Sequence, residues 1–143
     1  MRILLVDPPY RLEEVGGKRQ IFGQVINKIP SLGLGYLAAV AEKEKHTVKI
    51  VDCNLGIDDN HLADVAREFN PQIIGITATT PVFRNAIRAA STLRNILPEA
   101  VLLCGGAHPS ADPNDALGAG VFDYLVLGEG EKTFLELISY IEA

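Results

Sequence analysis

Tryptophan is absent from this chain, methionine occurs once, and there are only two cysteines and three histidines. No Cys-x-x-Cys spacing occurs, which argues against a cysteine metal site and fits a reducing, cytoplasmic setting. Cys53 and Cys104 each follow an apolar run and read as small buried side chains. Basic residues are outnumbered, 13 Lys and Arg against 18 Asp and Glu, so the basic face of a nucleic-acid binder is missing. No apolar run approaches the roughly 20 residues that span a bilayer. Met1 leads straight into strand-like residues and "DPP", which is not a signal peptide. Repeats, low-complexity tracts and linkers are lacking too, so residues 1–143 read as one domain. What the chain has is apolar content, 48%, enough for a well-packed core and too much for disorder.

That content is concentrated in five short runs: "RILLV" (2–6), "TVKIV" (47–51), "QIIGI" (72–76), "AVLLC" (100–104) and "DYLVL" (123–127). They are nearly continuous in Val, Ile and Leu, as expected of parallel strands covered on both faces. Between them run stripes at helical spacing: Leu34, Leu37, Ala38 and Ala41; Leu62, Val65, Ala66 and Phe69. A third follows Phe83, Ala86, Ile87, Ala90, Leu93 and Leu97, and a fourth Phe134, Leu137, Ile138 and Ile141. Thr80 before Pro81 and Asp112 before Pro113 read as N-caps with proline at the first helical position, making 112–119 a short helix or turn. This alternation predicts an α/β, flavodoxin-like (Rossmann-like) three-layer sandwich around a five-stranded parallel sheet of order 2-1-3-4-5. The connection 10–30 is too long for an ordinary link and reads as a lid or binding loop over the site.

In such sheets ligands bind beyond the carboxyl ends of the strands. Four stretches qualify: "DPPY" (Asp7, Pro8, Pro9, Tyr10), "TATT" (Thr77, Ala78, Thr79, Thr80), "GGAH" (Gly105, Gly106, Ala107, His108) and "GEGE" (Gly128, Glu129, Gly130, Glu131). No Gly-x-Gly-x-x-Gly turn follows strand one, and Walker-type signatures are absent. "GLGYLA" (33–38) has that glycine spacing but lies too far along the chain; its glycines serve close helix–sheet packing or, at Gly33, the approach of a ligand. A phosphorylated receiver domain wants an acidic cluster after strand one and a lysine after strand five. Here Asp7 stands alone at the first place, and Gly128 and Glu129 occupy the second. Glu129 and Glu131 complement the dipole of the last helix and repel phosphate there, so hydroxyl or amide recognition, or a partner surface, fits better. Thr80 is taken as a cap, whereas Thr77 and Thr79 serve either a ligand or their own backbone. Asp7 reads as capping a turn before two prolines, with general-base chemistry as the alternative. His46 and His61 stand at polar element ends and read as solvated. No residue set has the makings of a catalytic triad, a tuned carboxylate pair or a metal site.

The sequential set "ILLVDPPY", "PSLGLGYLAAVAEKEKHTVKIVDCN", "PQIIGITATT", "LLCGGAHPSADP" and "FDYLVLGEGEKTFLEL" resembles the N-terminal cobalamin-binding domain of cobalamin-dependent radical SAM proteins. The resemblance implies a cofactor-binding role for Asp7, Pro8, Pro9, Tyr10, Gly33, Thr77, Ala78, Thr79, Thr80, Gly105, Gly106, His108, Gly128, Glu129 and Gly130. The corrin ring would lie over the strand ends, with Gly105 and Gly106 against the cofactor's nucleotide tail. Many corrinoid proteins carry an Asp-x-His-x-x-Gly motif after strand one, whose histidine ligates cobalt. The equivalent run here is Asp7-Pro8-Pro9-Tyr10-Arg11-Leu12. Proline cannot ligate a metal, so base-off binding without a protein histidine is expected. His108, placed after strand four, either bonds the corrin amides or tail or locks its loop. The family's S-adenosylmethionine and 4Fe-4S cluster belong to a radical SAM domain with a three-cysteine motif, which two isolated cysteines do not supply. With Ala143 closing the last helix, the chain reads as a piece of such an enzyme, not catalytic alone, with that C-terminal domain as its partner. A stand-alone corrinoid carrier or sensor, and a receiver-like interaction domain without cofactor, are the alternatives.

Overall fold

The apolar runs become strands: the central three are buried on both faces, whereas the two edge strands, with Ile50 and Tyr124 exposed, are covered only in part. In the computed structural model, which describes residues 1–10 and 29–143, Ile3, Leu4, Leu5 and Val6 are all fully buried. The expected overhanging loop 10–30 lies almost wholly outside the described residues. The elements are β1 (Arg2–Asp7), α1 (Leu32–Lys43), β2 (Thr47–Asp52), α2 (Asp59–Phe69), β3 (Ile73–Thr77) and α3 (Phe83–Ile96). They continue as β4 (Val101–Gly105), α4 (Ala107–Ala111), α5 (Pro113–Gly118), β5 (Tyr124–Val126) and α6 (Gly130–Glu142). Short 3-10 turns occupy Cys53–Leu55 and Thr80–Val82. The five strands form one all-parallel sheet of order β2-β1-β3-β4-β5, the predicted flavodoxin-like arrangement.

Side-chain alternation along the central strands divides the core in two. Ile3, Leu5, Ile73 and Leu103 face α1 and α6, packing with Leu34, Ala38, Phe134 and Ile138. Leu4, Val6, Ile74, Ile76, Leu102 and Cys104 face the opposite layer, with Leu62 and Ala66 of α2 and Phe83, Ala86 and Leu93 of α3. Each fully buried Leu or Ile contributes roughly 1.5–3 kcal/mol relative to exposure, so these two faces hold the sheet between its helices. Among the described residues, no helix is long and apolar enough to cross a membrane.

Asp112 caps α5 as its sequence suggests, accepting from Asp115 N at 3.0 Å. Asp58 caps α2 in the same way, accepting from His61 N at 2.8 Å. Thr80 does not cap. It is the first residue of the 3-10 turn, α3 begins only at Phe83, and the Thr80 hydroxyl is used elsewhere. The helix α4, containing His108 and Pro109, leaves no pattern in the sequence because it is one turn and has no apolar repeat. His46 also departs from expectation: its side chain is only 9% exposed and Nδ1 lies 3.2 Å from the Met1 amino nitrogen. Both cysteines are buried, as expected, and neither forms a disulfide.

Beyond their last ladder positions, β3 and β4 remain joined. Ala78 N donates to Gly105 O at 2.9 Å, and Ala78 O accepts from His108 N at 3.0 Å. Gly106 sits between these bonds at φ +104°, where a Cβ would come within 2.8 Å of Ala78 O and 2.9 Å of Thr77 Oγ1. The protein's own backbone, not only a ligand, therefore demands this glycine. Gly106→Ala should lower folding stability by about 2–3 kcal/mol in denaturant titrations. Gly35→Ala, on α1 with no described atom within 4 Å of the added methyl, should raise it by roughly 0.5–1 kcal/mol.

Candidate functional site

The strand order reverses between β1 and β3, and a groove of about 180 Å³ opens beside that point, between the sheet and helices α1 and α6. Two rows of residues in register make its floor. Leu5, Gly75 and Leu103 stand side by side on β1, β3 and β4, followed one pleat higher by Thr77, Gly105 and Val126. The two glycines differ: Leu5 Cδ2 fills the space beside Gly75, 2.9 Å from where its Cβ would stand, whereas Gly105 leaves its row open. The walls are Leu34 and Leu37 from α1 and Phe134 from α6.

The floor is buried and apolar, whereas the rim is exposed and polar. Gly33, Gly106, Gly128 and Glu129 stand at the rim, with Gly130 and Glu131 half-buried beside them. The glycines of α1 are not there for close packing. Among the described residues, a Cβ on Gly33 would find only Ser31 Oγ, at 4.0 Å, so its missing side chain leaves open groove. The pair after β4 divides in the same way. Gly106 is crowded by Ala78, while a Cβ on Gly105 would make only ordinary contact with Val126 O at 3.4 Å.

The first stretch takes a different position. Pro8 is buried, Pro9 half-buried and Tyr10 37% exposed, and none of them lines the groove. Two asparagines hold this turn: Asn54 accepts from Tyr10 N at 2.8 Å and donates to Pro8 O at 3.4 Å. Buried Asn85 donates to Pro9 O at 2.8 Å. Asn54 is itself fixed by Asp52, which accepts from its backbone and side-chain nitrogens. Asp7 pairs in register with Asp52 at the strand ends. Burial, and secondarily the Asp52 charge, raise its carboxyl from an ordinary 3.8 to about 6.

His108 is buried and does not line the groove. Its Nδ1 lies 3.1 Å from Thr80 Oγ1, its Nε2 lies 2.9 Å from Asp115 Oδ2, and its ring packs on Phe83 at 4.0 Å. These contacts tie the loops after β3 and β4 together. Ala78 turns its side chain into the opposite core and uses both backbone groups internally, and Thr79 stands exposed outside the groove. Cys104 is an inert thiol, pushed by burial to about 12. The groove thus gathers Gly33, Thr77, Gly105, Gly106, Gly128, Glu129 and Gly130 from the predicted set. Gly75, Leu5 and Phe134 join them although the sequence marks them only as strand or helix residues. An isolated glycine inside "QIIGI" is the one signal of a special position there.

The family model for the B12 binding domain matches residues 19–138. The chain belongs to this family. As a B12 binding domain it is 36% identical over 142 residues to an uncharacterized methyltransferase of Pyrococcus horikoshii, covering 96% of this chain and 29% of that protein. It is 34% identical over 123 residues to cytidylyl-2-hydroxyethylphosphonate methyltransferase of Streptomyces wedmorensis, covering 73% of this chain and 23% of the relative. The fold matches the radical S-adenosylmethionine methyltransferase TsrM of Kitasatospora setae, solved with cobalamin and a [4Fe-4S] cluster bound. The TM-score is 0.80 at 23% identity, over 99% of this chain and 24% of that one. The domain therefore spans under a third of the length of these relatives.

Asp7 supplies a pH test of the strand-end electrostatics. Its folded-state value exceeds the unfolded one, so the folded protein binds more protons between pH 3.8 and about 6. Stability from this group is present at low pH and lost as pH rises through that window. Solvent screening at a half-buried position limits the effect to about 1 kcal/mol. Asp7→Asn should raise the Tm by about 3 °C at pH 7.5 and by much less at pH 4.

Proposed function

We propose that this B12 binding domain holds cobalamin base-off, with its nucleotide tail in the groove between α1 and α6 and its corrin ring over the loops at the strand ends. The observation that carries the reading is the apolar floor of Leu5, Leu103 and Val126, left open where Gly105 lacks a side chain. A base withdrawn from cobalt needs a slot that excludes water, and an aromatic ring fits a floor of buried aliphatic side chains. Glu129 and Glu131 at the rim suit ribose hydroxyls or side-chain amides and keep a phosphate toward solvent.

No histidine of the chain serves as a ligand in this arrangement. All three are described: His46 is tucked against Met1, His61 is exposed on α2, and both ring nitrogens of His108 are engaged by Thr80 and Asp115. In place of the ligand loop stands the Pro8–Pro9 turn, held by Asn54 and Asn85. Cobalamin, when bound, supplies the cobalt centre for group transfer; the domain binds it, orients it and excludes water from its tail. In the larger protein this domain would serve a methyltransferase-type radical SAM enzyme. A C-terminal domain would hold S-adenosylmethionine and the 4Fe-4S cluster, for which the two buried cysteines here are unsuited.

Mixing the protein with hydroxocobalamin, followed by gel filtration and a visible spectrum, tests the reading. The chromophore should co-elute with folded protein and show the absorption of the base-off form at neutral pH. Folded protein that retains no chromophore overturns cobalamin binding, and a base-on spectrum overturns the binding mode. Gly33→Leu, which projects into open groove, should weaken retention at least about tenfold with an unchanged Tm, since it removes the slot and not the fold.

A further inference from the structure

Ser110 belongs to none of the four stretches, yet its hydroxyl joins the two lips of the groove. It donates to Gly106 O at 2.8 Å and accepts from Gly128 N at 2.9 Å. A hydroxyl has one proton to give and lone pairs to receive, so both bonds form at once. The two glycines it joins follow adjacent strands, β4 and β5, and both line the groove. Both also adopt positive φ, +104° and +66°, so the loops they belong to are specialised turns and not continuations of the strands.

We propose that Ser110 is a positioning residue for the nucleotide tail, setting the width of the groove mouth by tying the loop after β4 to the loop after β5. This rests on the cobalamin reading above. Ser110 is exposed, so water can satisfy either partner when the hydroxyl is removed. Separate waters do not hold the two lips at a fixed distance, and the loss falls on the shape of the mouth more than on folding. Alanine is a good helix former at this position, so the truncated variant should fold.

The test compares cobalamin with cobinamide, a corrinoid lacking the nucleotide tail. Ser110→Ala should weaken cobalamin binding about tenfold and leave cobinamide binding within about twofold, while Ser110→Thr restores the affinity. Amide exchange at Gly128 should accelerate in Ser110→Ala and return in Ser110→Thr. Equal losses for both corrinoids, no loss for cobalamin, or unchanged exchange at Gly128 would overturn the assignment while leaving the cobalamin reading intact. Wild-type protein that bound neither corrinoid would overturn the cobalamin reading and the assignment together.

Discussion

The structure turns on the contact between two backbones just beyond the sheet, where Ala78 and the Gly105–Gly106 pair meet. Two hydrogen bonds, Ala78 N to Gly105 O and His108 N to Ala78 O, extend the pairing of β3 and β4 past their ends. The bonds leave no room for a Cβ at Gly106 and hold it at φ +104°. The chain then leaves the sheet as α4. That one turn buries His108 between Thr80, Asp115 and Phe83, and it brings Ser110 to Gly128. Without this approach the loops after β3, β4 and β5 would have no common support.

The groove follows from the alternation of side chains on parallel strands. Side chains alternate along a strand, so Gly75 on β3 and Gly105 on β4 both fall on the face covered by α1 and α6; Leu5 fills the space beside Gly75, and Gly105 leaves its row open. On the opposite face the same strands present Ile74, Ile76, Leu102 and Cys104, all buried against helices. The sheet is therefore solid on one side and recessed on the other. The recess reaches the strand ends at the switch point, where an open α/β sheet has a natural crevice.

Much of the fold is legible in the sequence because buried parallel strands need long apolar runs and amphipathic helices need a repeating stripe. Both leave their mark locally. The placement of the loops at the strand ends follows from strand direction, and Gly33, Thr77, Gly105 and Gly128 do converge on one groove. The partners of these loops are not legible. Asn54 and Asn85 stand far along the chain from the Pro8–Pro9 turn they hold, and nothing in their neighbours marks them. The proline beside Thr80 suggests a cap, but the threonine hydroxyl goes to a histidine on another loop.

By itself, the sequence determined the strands, their helices, the parallel fold class and which loops lie at the strands' carboxyl ends, since these depend on composition, periodicity and chain direction. Only the tertiary structure decided which glycine is crowded by the fold and which faces the groove, and which groups His108 contacts. Those answers depend on how close neighbouring backbone comes to the place a Cβ would take: 2.8 Å at Gly106, where the protein fills the space, and 3.4 Å at Gly105, where it does not. Residues remote in sequence set those distances, so no local pattern carries them.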